Sequence, residues 1–330
     1  MRRDPPANAG AANVKRYLAR RIGGAVVLLW VVASVVFFSL YLLPGDPALI
    51  ILGGLDAHPS PEQVQRVRAQ LGLDRPVVVQ YLGWASGLLR GDLGRSLVSG
   101  RAVTTDLAVR LLRTLQLIVP AAGVAMAIGI PAGVYSARAR DTLMDPIVSA
   151  LTLLGFSVPV FVIGPGLVSI FTLWLGLLPS GGYVGAFQDP GGFAVHLILP
   201  ALALAAAPAA TTMRMTRSSI LEQTSLDYVR TARSKGLGER QVVGRHVLRN
   251  ALLPVLTVLG LQVGAMFAGS VLVETIFNWP GMNLFLLEAL GQRDYPVIQA
   301  VVLVAASIFI AVNVLIDVTY ALVDPRIRYA

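Results

Sequence analysis

Residues 227–254 read DYVRTARSKGLGERQVVGRHVLRNALLP, and this stretch forms most of the strongest concentration of charge in the chain. Positions 214–249 hold eight Lys or Arg and three Asp or Glu residues. The flanking runs 190–213 and 250–273 carry no charge over 24 residues each, which exceeds the ~20 residues that a membrane-spanning helix needs. The sequence therefore predicts a polar segment between two membrane spans.

The composition of the whole chain is that of a polytopic membrane protein. Of its 330 residues 55% are hydrophobic and only 14% are charged, which is far from the usage of soluble domains. The formal charge of +9 comes largely from short loops, and no basic surface with interleaved aromatic residues indicates nucleic-acid binding. There is no cysteine, so disulfides and metal–thiolate sites are excluded.

Uncharged runs predict six spans, at 22–45, 114–137, 146–188, 190–213, 250–273 and 295–316. The first run could be a signal peptide, but it is too long and no small-residue cleavage site follows it. The third run is long for one span and short for two. One span there places the N-terminus, 138–145, 214–249 and the C-terminus, with 18 of the 27 Lys and Arg residues, on one side, as the positive-inside rule requires. We therefore predict an all-α integral membrane protein with six transmembrane helices and cytoplasmic termini.

This topology divides the chain into four parts: a disordered tail at 1–14, a first transmembrane helix at 15–45, an extracytoplasmic segment at 46–113, and a core at 114–330 with five spans and a cytoplasmic loop at 214–249. The extracytoplasmic segment should contain two helices. Ser60 and Pro61 begin the first, at 60–71, and the second covers 77–89. The segment is either a compact cap or a docking surface for a protein that delivers substrate.

The loop itself should contain two short helices. The first, from Tyr228 to Lys235, opens near Thr224 and Asp227, which have the spacing of a capping box with Thr224 as the cap. It stops at Gly236, because glycine accepts the left-handed conformation that ends helices. The second begins at Glu239. Four of its residues have the helical spacing that puts them on one face: Val242, Val243, His246 and Val247. Charge alone is also compatible with a basic loop held near anionic lipid.

The order of residues in this loop resembles the EAA loop of ABC-importer permeases. The chain has the triplet Arg230, Thr231 and Ala232, three further residues, Gly236, and then Leu253 followed by Pro254. The triplet reads RTA in place of EAA, and Pro254 follows Gly236 by 18 residues. Both departures resemble the peptide/nickel branch of that family.

Further strings extend the resemblance over about residues 15–330. They are LPGDP at 43–47, GLDRP at 72–76, GDLG at 91–94 and DPRIR at 324–328. Together they resemble the B-type permease subunit of dipeptide/oligopeptide ABC importers, a binding-protein-dependent inner-membrane component. The resemblance implies the type I importer permease fold, location in the bacterial inner membrane and multiple passes through it.

The resemblance also implies partners and a site. The partners are a second homologous permease, two ABC ATPase subunits that bind ATP and Mg²⁺, an extracytoplasmic substrate-binding protein and the lipid bilayer. The first helix of the loop is expected to dock on an ATPase through Asp227, Tyr228, Arg230, Thr231, Ala232, Arg233, Lys235, Gly236 and Leu237.

Nothing in the sequence indicates catalysis, a cofactor or a metal on this chain. The string KGLG at 235–238 lacks the spacing of a phosphate-binding loop. His58, His196 and His246 lie in three separate segments, without the spacing of metal ligands. We therefore predict a non-catalytic subunit.

Six residues are candidates for a gate or pathway, because charge and proline are unusual within or beside spans. We expect Glu274 and Asp317, at span ends, to be partly hydrated. Asn313 and Asp317 share a helix face, and an interhelical hydrogen bond is the alternative to a functional role. The candidates are Pro159, Glu274, Asn278, Trp279, Asn313 and Asp317.

Three alternatives to peptide import remain open. The same machinery could carry nickel, glutathione or another small solute. An ion-driven secondary transporter would be expected to show internal repeats and charge at mid-membrane, neither of which is found in the sequence. A membrane receptor or scaffold would leave the RTA-x₃-G loop unexplained.

Overall fold

The computed structural model describes residues 8–42, 48, 49, 52, 59–70, 72–140, 142, 143, 150, 155 and 157–323. The chain divides into two compact units. The first comprises Met1–Leu111 together with Phe285–Ala330, and the second comprises Leu112–Leu284.

The described residues are mainly helical. The helices are α1 (Asn8–Leu42), α2 (Pro61–Gln70), α3 (Val77–Leu89), α4 (Val103–Arg138), α5 (Val160–Leu167), α6 (Pro190–Thr224), α7 (Asp227–Ser234), α8 (Leu248–Ile276), α9 (Met282–Gln292) and α10 (Tyr295–Val323). Two π-helical segments continue α5 and precede α8, at Val168–Trp174 and Val242–Val247.

Five of these helical stretches are long and apolar enough to cross a membrane: Arg20–Ser39, Val103–Arg138, Pro190–Thr224, Val242–Ile276 and Tyr295–Leu315. They correspond to the first, second, fourth, fifth and sixth predicted spans. The prediction of an all-α integral membrane protein is confirmed. The count of six and the cytoplasmic termini stay predictions.

The third predicted span is described only in its second half. Pro159 lies in an extended conformation immediately before α5, where its missing N–H costs no helical hydrogen bond. Pro165 lies within α5, and three residues later the chain becomes π-helical. Val160–Trp174 is 15 residues long, shorter than a full span, and most of 146–158 lies outside the described residues.

In the first unit, α1 packs against α10 and, through aromatic side chains, against α3. The rings of Phe37 and Tyr81 lie 5.3 Å apart, and the Ser34 and Tyr81 hydroxyls are hydrogen-bonded at 2.7 Å. Helix α1 begins at Asn8, inside the segment for which we predicted disorder. Alanines at 9, 11 and 12 favour helix there.

The two helices predicted within residues 46–113 are present as α2 and α3. At the start of α2 the Gln63 N–H donates to the Ser60 hydroxyl oxygen, while the Gln63 side chain accepts from the Ser60 N–H at 2.8 Å. This reciprocal pair is a capping box. The expected cap at Ser60 is therefore confirmed.

In the second unit, α4 and α6 approach each other closely at two glycines. A Cβ at Gly129 would collide with Thr212, and one at Gly133 with Thr216. The two glycines are four residues apart and so share one face of α4. This small-residue face allows the helix backbones to pack directly, as in other membrane helix pairs.

Candidate functional site

Helix α7 is the central element of the basic segment. Two small apolar side chains pack it against the rest of the second unit. Val229 is fully buried and Ala232 is 8% exposed. They are three residues apart, so they share one helix face. Of the residues at 227–237, only these two are buried.

The surface that receives α7 comes from four other helical elements. Val229 and Ala232 belong to one buried apolar cluster with Ala137 at the end of α4, Ile220 in α6, and Val242, Val247 and Ala251 before and within α8. The cluster therefore joins α7 to the ends of three predicted spans. A displacement of α7 would have to move or break this cluster.

The C-terminal end of α7 confirms the expected role of Gly236. Gly236 has φ +77°, a conformation that side chains with a Cβ disfavour. The Gly236 N–H donates to the Arg233 carbonyl, and the Leu237 N–H donates to the Ala232 carbonyl. This pair of bonds is the Schellman motif that closes helices.

The expected capping of α7 by Thr224 is wrong. The Thr224 hydroxyl donates to the Leu221 carbonyl at 2.8 Å, because Thr224 is still the last residue of α6. Leu226 occupies the N-cap position of α7, and its carbonyl accepts from the Val229 N–H. A short turn at 225–226 thus separates the two helices.

An ion pair crosses the turn at Gly236. The Arg233 Nε donates to a Glu239 carboxylate oxygen at 2.6 Å, and an Arg233 terminal nitrogen reaches the second oxygen at 3.4 Å. Both side chains are substantially exposed, so this pair contributes little to stability. Its two-point geometry links the last turn of α7 to the residue that begins the next helical turn.

The segment after this turn differs from the predicted α-helix. One helical turn, Glu239–Gln241, leads into the π-helix Val242–Val247. Val242 and Val247 are both fully buried; they are five residues apart, the hydrogen-bonding interval of a π-helix. Val243 is also buried and His246 is half-buried, so the apolar face was predicted correctly but its period was not.

The outward side of α7 is polar and predominantly basic. The side chains of Asp227, Arg230, Thr231, Arg233 and Lys235 are exposed. Arg230 pairs loosely with Asp227 at 3.5 Å.

Tyr228 and Leu237, each 36% exposed, lie at the two ends of this basic face. The Tyr228 hydroxyl donates to the Gln223 side chain at 2.8 Å, which links the start of α7 to the end of α6. We refer to the exposed side chains of residues 227–237 as the α7 face. It offers cationic hydrogen-bond donors between two apolar ends.

At the other end of α8, Glu274 lies in a fully buried network. It has no exposed surface, so the expectation of partial hydration is wrong. Its carboxylate accepts hydrogen bonds from Thr114 at 2.7 Å, Ser270 at 3.2 Å and the Leu284 N–H at 2.8 Å. The donors replace water, as a buried carboxylate requires.

Gly281 completes the network around Glu274. A Cβ at Gly281 would collide with the Glu274 carboxylate. The Asn283 side chain donates to the Phe267 carbonyl and the Ser270 hydroxyl oxygen, each at 2.7 Å. The sequence indicated the charge of Glu274 but not Thr114, Ser270 or Asn283, since ordinary polar residues at those positions carry no distinguishing pattern.

The turn between α8 and α9 is held by buried aromatic contacts. Trp279 is fully buried, and its indole N–H donates to the Arg113 carbonyl at 2.9 Å. Its ring meets Tyr183 edge to face at 4.9 Å. Asn278 has φ +48°, a left-handed conformation that asparagine tolerates. These contacts give both residues structural roles, and a gating role stays a prediction.

The remaining pathway candidates lie apart from these two regions in sequence. The Asn313 side chain donates to the Phe309 carbonyl of its own helix at 2.8 Å, and an interhelical hydrogen bond of the Asn313 and Asp317 pair stays a prediction. Asp317 lies in α10, but its side chain is outside the described residues.

Comparison with solved structures shows which fold the chain has. The chain resembles a structure titled "Inward facing conformations of the MetNI methionine ABC transporter", with a TM-score of 0.54 and 17% identity over 66% of this chain and 96% of the other. A second, an amino acid ABC transporter, gives a TM-score of 0.50 and 16% identity over 67% and 95%. The fold is that of ABC-transporter permeases.

The family follows from the sequence comparisons. The family described as "Binding-protein-dependent transport system inner membrane component" matches residues 129–329, and its N-terminal companion matches residues 14–116. The chain belongs to this family of transport-system membrane components.

Three relatives align over nearly their whole length. A putative peptide transport system permease of Brucella abortus (strain 2308) is 43% identical, covering 94% of this chain and 98% of its own. The dipeptide transport system permease DppB of Escherichia coli (strain K12) is 40% identical, covering 95% and 99%. The glutathione transport system permease GsiC of Salmonella choleraesuis is 42% identical, again covering 95% and 99%.

Proposed function

We propose that this chain is one of two permease subunits of an ATP-driven importer that carries di- and oligopeptides into the bacterial cytoplasm. The observation that carries the proposal is the attachment of α7: its basic face is exposed, while Val229 and Ala232 join it to a buried cluster at the ends of three predicted spans. Such an element can transmit the motion of a cytoplasmic partner to the transmembrane helices.

Peptide is the cargo that the relatives favour. The names of the Brucella and E. coli proteins specify peptide and dipeptide transport. The GsiC name specifies glutathione, which is itself a modified tripeptide. Glutathione is therefore the second candidate cargo, and an assay should compare both.

The assembly that this function requires has four kinds of component. A second homologous permease would complete the pathway, two ATPase subunits would bind ATP and Mg²⁺, and a binding protein would deliver peptide from outside. This chain would contribute no catalytic group. Its location would be the bacterial inner membrane, which accords with the family description.

In this mechanism the ATPase subunit holds the α7 face, and closure of the ATPases displaces α7. Because Val229 and Ala232 pack against Ala137, Ile220 and Val247, the displacement carries the ends of α4, α6 and α8 with it. Two packings of such helices that differ by a few kcal/mol are enough for alternating access, because ATP binding can then select one of them.

The test compares two substitutions that add the same charge to α7. Ala232→Asp places a carboxylate in the buried cluster, while Ser234→Asp places it on the exposed side two residues away. In the purified complex with its binding protein, we expect Ala232→Asp to reduce peptide-stimulated ATP hydrolysis at least tenfold. Ser234→Asp alters the α7 face but not the buried cluster, and it should retain a larger fraction of that stimulation.

The stimulated rate is compared only for variants that still co-purify with the ATPase subunits, so that a failure to assemble is scored separately. Full stimulation and uptake in an assembled Ala232→Asp complex would overturn the proposed route through α7. Stimulation by glutathione and not by dipeptides would move the cargo to the second candidate.

A further inference from the structure

A groove of about 620 Å³ lies between α1 and α10 in the first unit. Among the described residues its polar lining consists of Arg20, Arg21 and Asn313, and the remaining wall is apolar, with Leu28 and Phe309 among the larger side chains. The volume lies within the roughly 300–1,000 Å³ of small-molecule sites. One end of the groove is therefore basic and the rest suits hydrocarbon.

The groove follows one face of α1. Arg21, Gly24 and Leu28 are spaced by three and four residues, so they lie along the same side of the helix. From Arg21 to Leu28 the helix rises about 10 Å at 1.5 Å per residue. Gly24 creates space in this wall, since a Cβ there would meet nothing within 4 Å.

The surroundings of the groove are those of a lipid-facing helix. The apolar side chains of Val26, Val27 and Val31 are 61%, 64% and 51% exposed, and an exposed apolar surface of this kind in a membrane component suits contact with acyl chains. Arg20 and Arg21 are also exposed and lie where the apolar run of α1 begins. That position corresponds to the headgroup level, where arginine side chains extend toward the interface.

The charge balance at this end of the groove is basic. Lys15 and Arg16 precede the arginine pair on α1. On α10 the acidic residue that follows Asn313 is Asp317, one turn further on. Among the described lining residues two are arginines and none is acidic, which favours an anionic occupant.

We propose that this groove binds one anionic phospholipid, with its phosphate against Arg20 and Arg21 and one acyl chain along the apolar wall toward Leu28. Basic pockets between transmembrane helices are suited to such headgroups. A free phosphate ion would leave the apolar wall without a partner. An apolar helix of another subunit would leave the arginine pair without an anion.

The experiment is native mass spectrometry of the purified full-length chain, released from detergent with defined lipids. We expect one phosphatidylglycerol molecule to be retained at least tenfold more tightly than phosphatidylcholine. Inorganic phosphate in excess should leave it bound. A site for the phosphate ion alone would show displacement by phosphate and equal retention of the two lipids, which would overturn the proposal.

Two pairs of variants locate the site. Arg20→Gln with Arg21→Gln should weaken phosphatidylglycerol binding by about 25-fold, at about fivefold per cation near anionic lipid. Arg138→Gln with Arg140→Gln removes the same charge at exposed positions that do not line the groove and should weaken it much less. Equal losses would indicate diffuse attraction to a basic helix end and would contradict a built site.

The second pair leaves the charge unchanged. Gly24→Leu should fill the groove and reduce retention at least fivefold. Gly23→Leu adds the same side chain at a position outside the groove lining, where a Cβ also meets nothing within 4 Å, and should leave retention unchanged. A photoreactive residue at Ala25 should label lipid; labelling of another polypeptide in the assembled complex would overturn the assignment of the groove to lipid.

Discussion

The Thr114 hydroxyl donates a 2.7 Å hydrogen bond to the Glu274 carboxylate, joining α4 to the end of α8 across 160 residues of sequence. The same carboxylate accepts from the Leu284 N–H, so one buried charge connects three helices of which two are predicted spans. We expect the turn at 277–281 to move as one body with the adjoining ends of α4 and α8.

The first prediction concerns the stability of this network. Glu274→Ala leaves the buried Thr114 hydroxyl and the part-buried Leu284 N–H without their acceptor, at up to about 1–3 kcal/mol for each unpaired donor. We expect a clear fall in the thermal unfolding temperature of the purified chain. Glu288→Ala, which removes a part-exposed carboxylate paired with Arg110, should cost less than about 1 kcal/mol. Equal unfolding temperatures for the two variants would contradict the role given to Glu274.

A second prediction tests the close approach of Gly281 to Glu274. Gly281→Ala places a methyl group in collision with the carboxylate, so either the turn or the network must shift, at about 1–3 kcal/mol for overpacking. Gly291→Ala is the matched control, because a Cβ there meets nothing within 4 Å and the position lies in α9. Circular-dichroism melting should show destabilisation for Gly281→Ala only. A melting curve for that variant equal to the unsubstituted chain would refute the crowding.

The third prediction concerns the end of α7. Gly236→Val forces a β-branched residue into φ +77°, which costs at least about 1–2 kcal/mol and favours an altered turn. We expect the assembled complex to retain basal ATP hydrolysis and lose most of its stimulation by peptide.

Gly238→Ala serves as its control, since Gly238 has φ −65° and open space around the added methyl group. If the two variants were stimulated equally, the Gly236 turn would have no part in coupling.

Features that depend on neighbouring residues were accessible from the sequence. The spacing within 227–237 predicted the helix and its stop at Gly236, because a helix and a left-handed cap are set by residues a few positions apart. The bounds of α3 were also predicted correctly. The buried apolar face at 242–247 followed from the same local periodicity.

Features that depend on distant residues were not accessible. The partners of Glu274 come from positions 114, 270 and 284, and no local pattern connects them. The period of the 242–247 segment was misjudged because the same valines suit an α- or a π-helix until their hydrogen bonds are known. The misplaced cap at Thr224 has a related cause, since a hydroxyl at the end of α6 can bond backward as readily as forward.

The fourth prediction fixes the topology. Because the chain has no cysteine, Ser86→Cys and Ser234→Cys each give a single thiol, and both positions are exposed. With cytoplasmic termini and six spans, an impermeant maleimide should label position 86 in intact cells. Position 234 should be labelled only after the membrane is opened. The reverse pattern would invert the predicted orientation.

The central claim is that this chain transports peptide by coupling to ATP hydrolysis, and reconstitution tests it most directly. The chain is purified with the subunits that accompany it, placed in proteoliposomes, and supplied with binding protein and labelled dipeptide. We predict recovery of a second permease and ATPase subunits, with uptake that requires ATP and persists when ion gradients are collapsed. Uptake by the chain alone, driven by an ion gradient without ATP, would contradict the account.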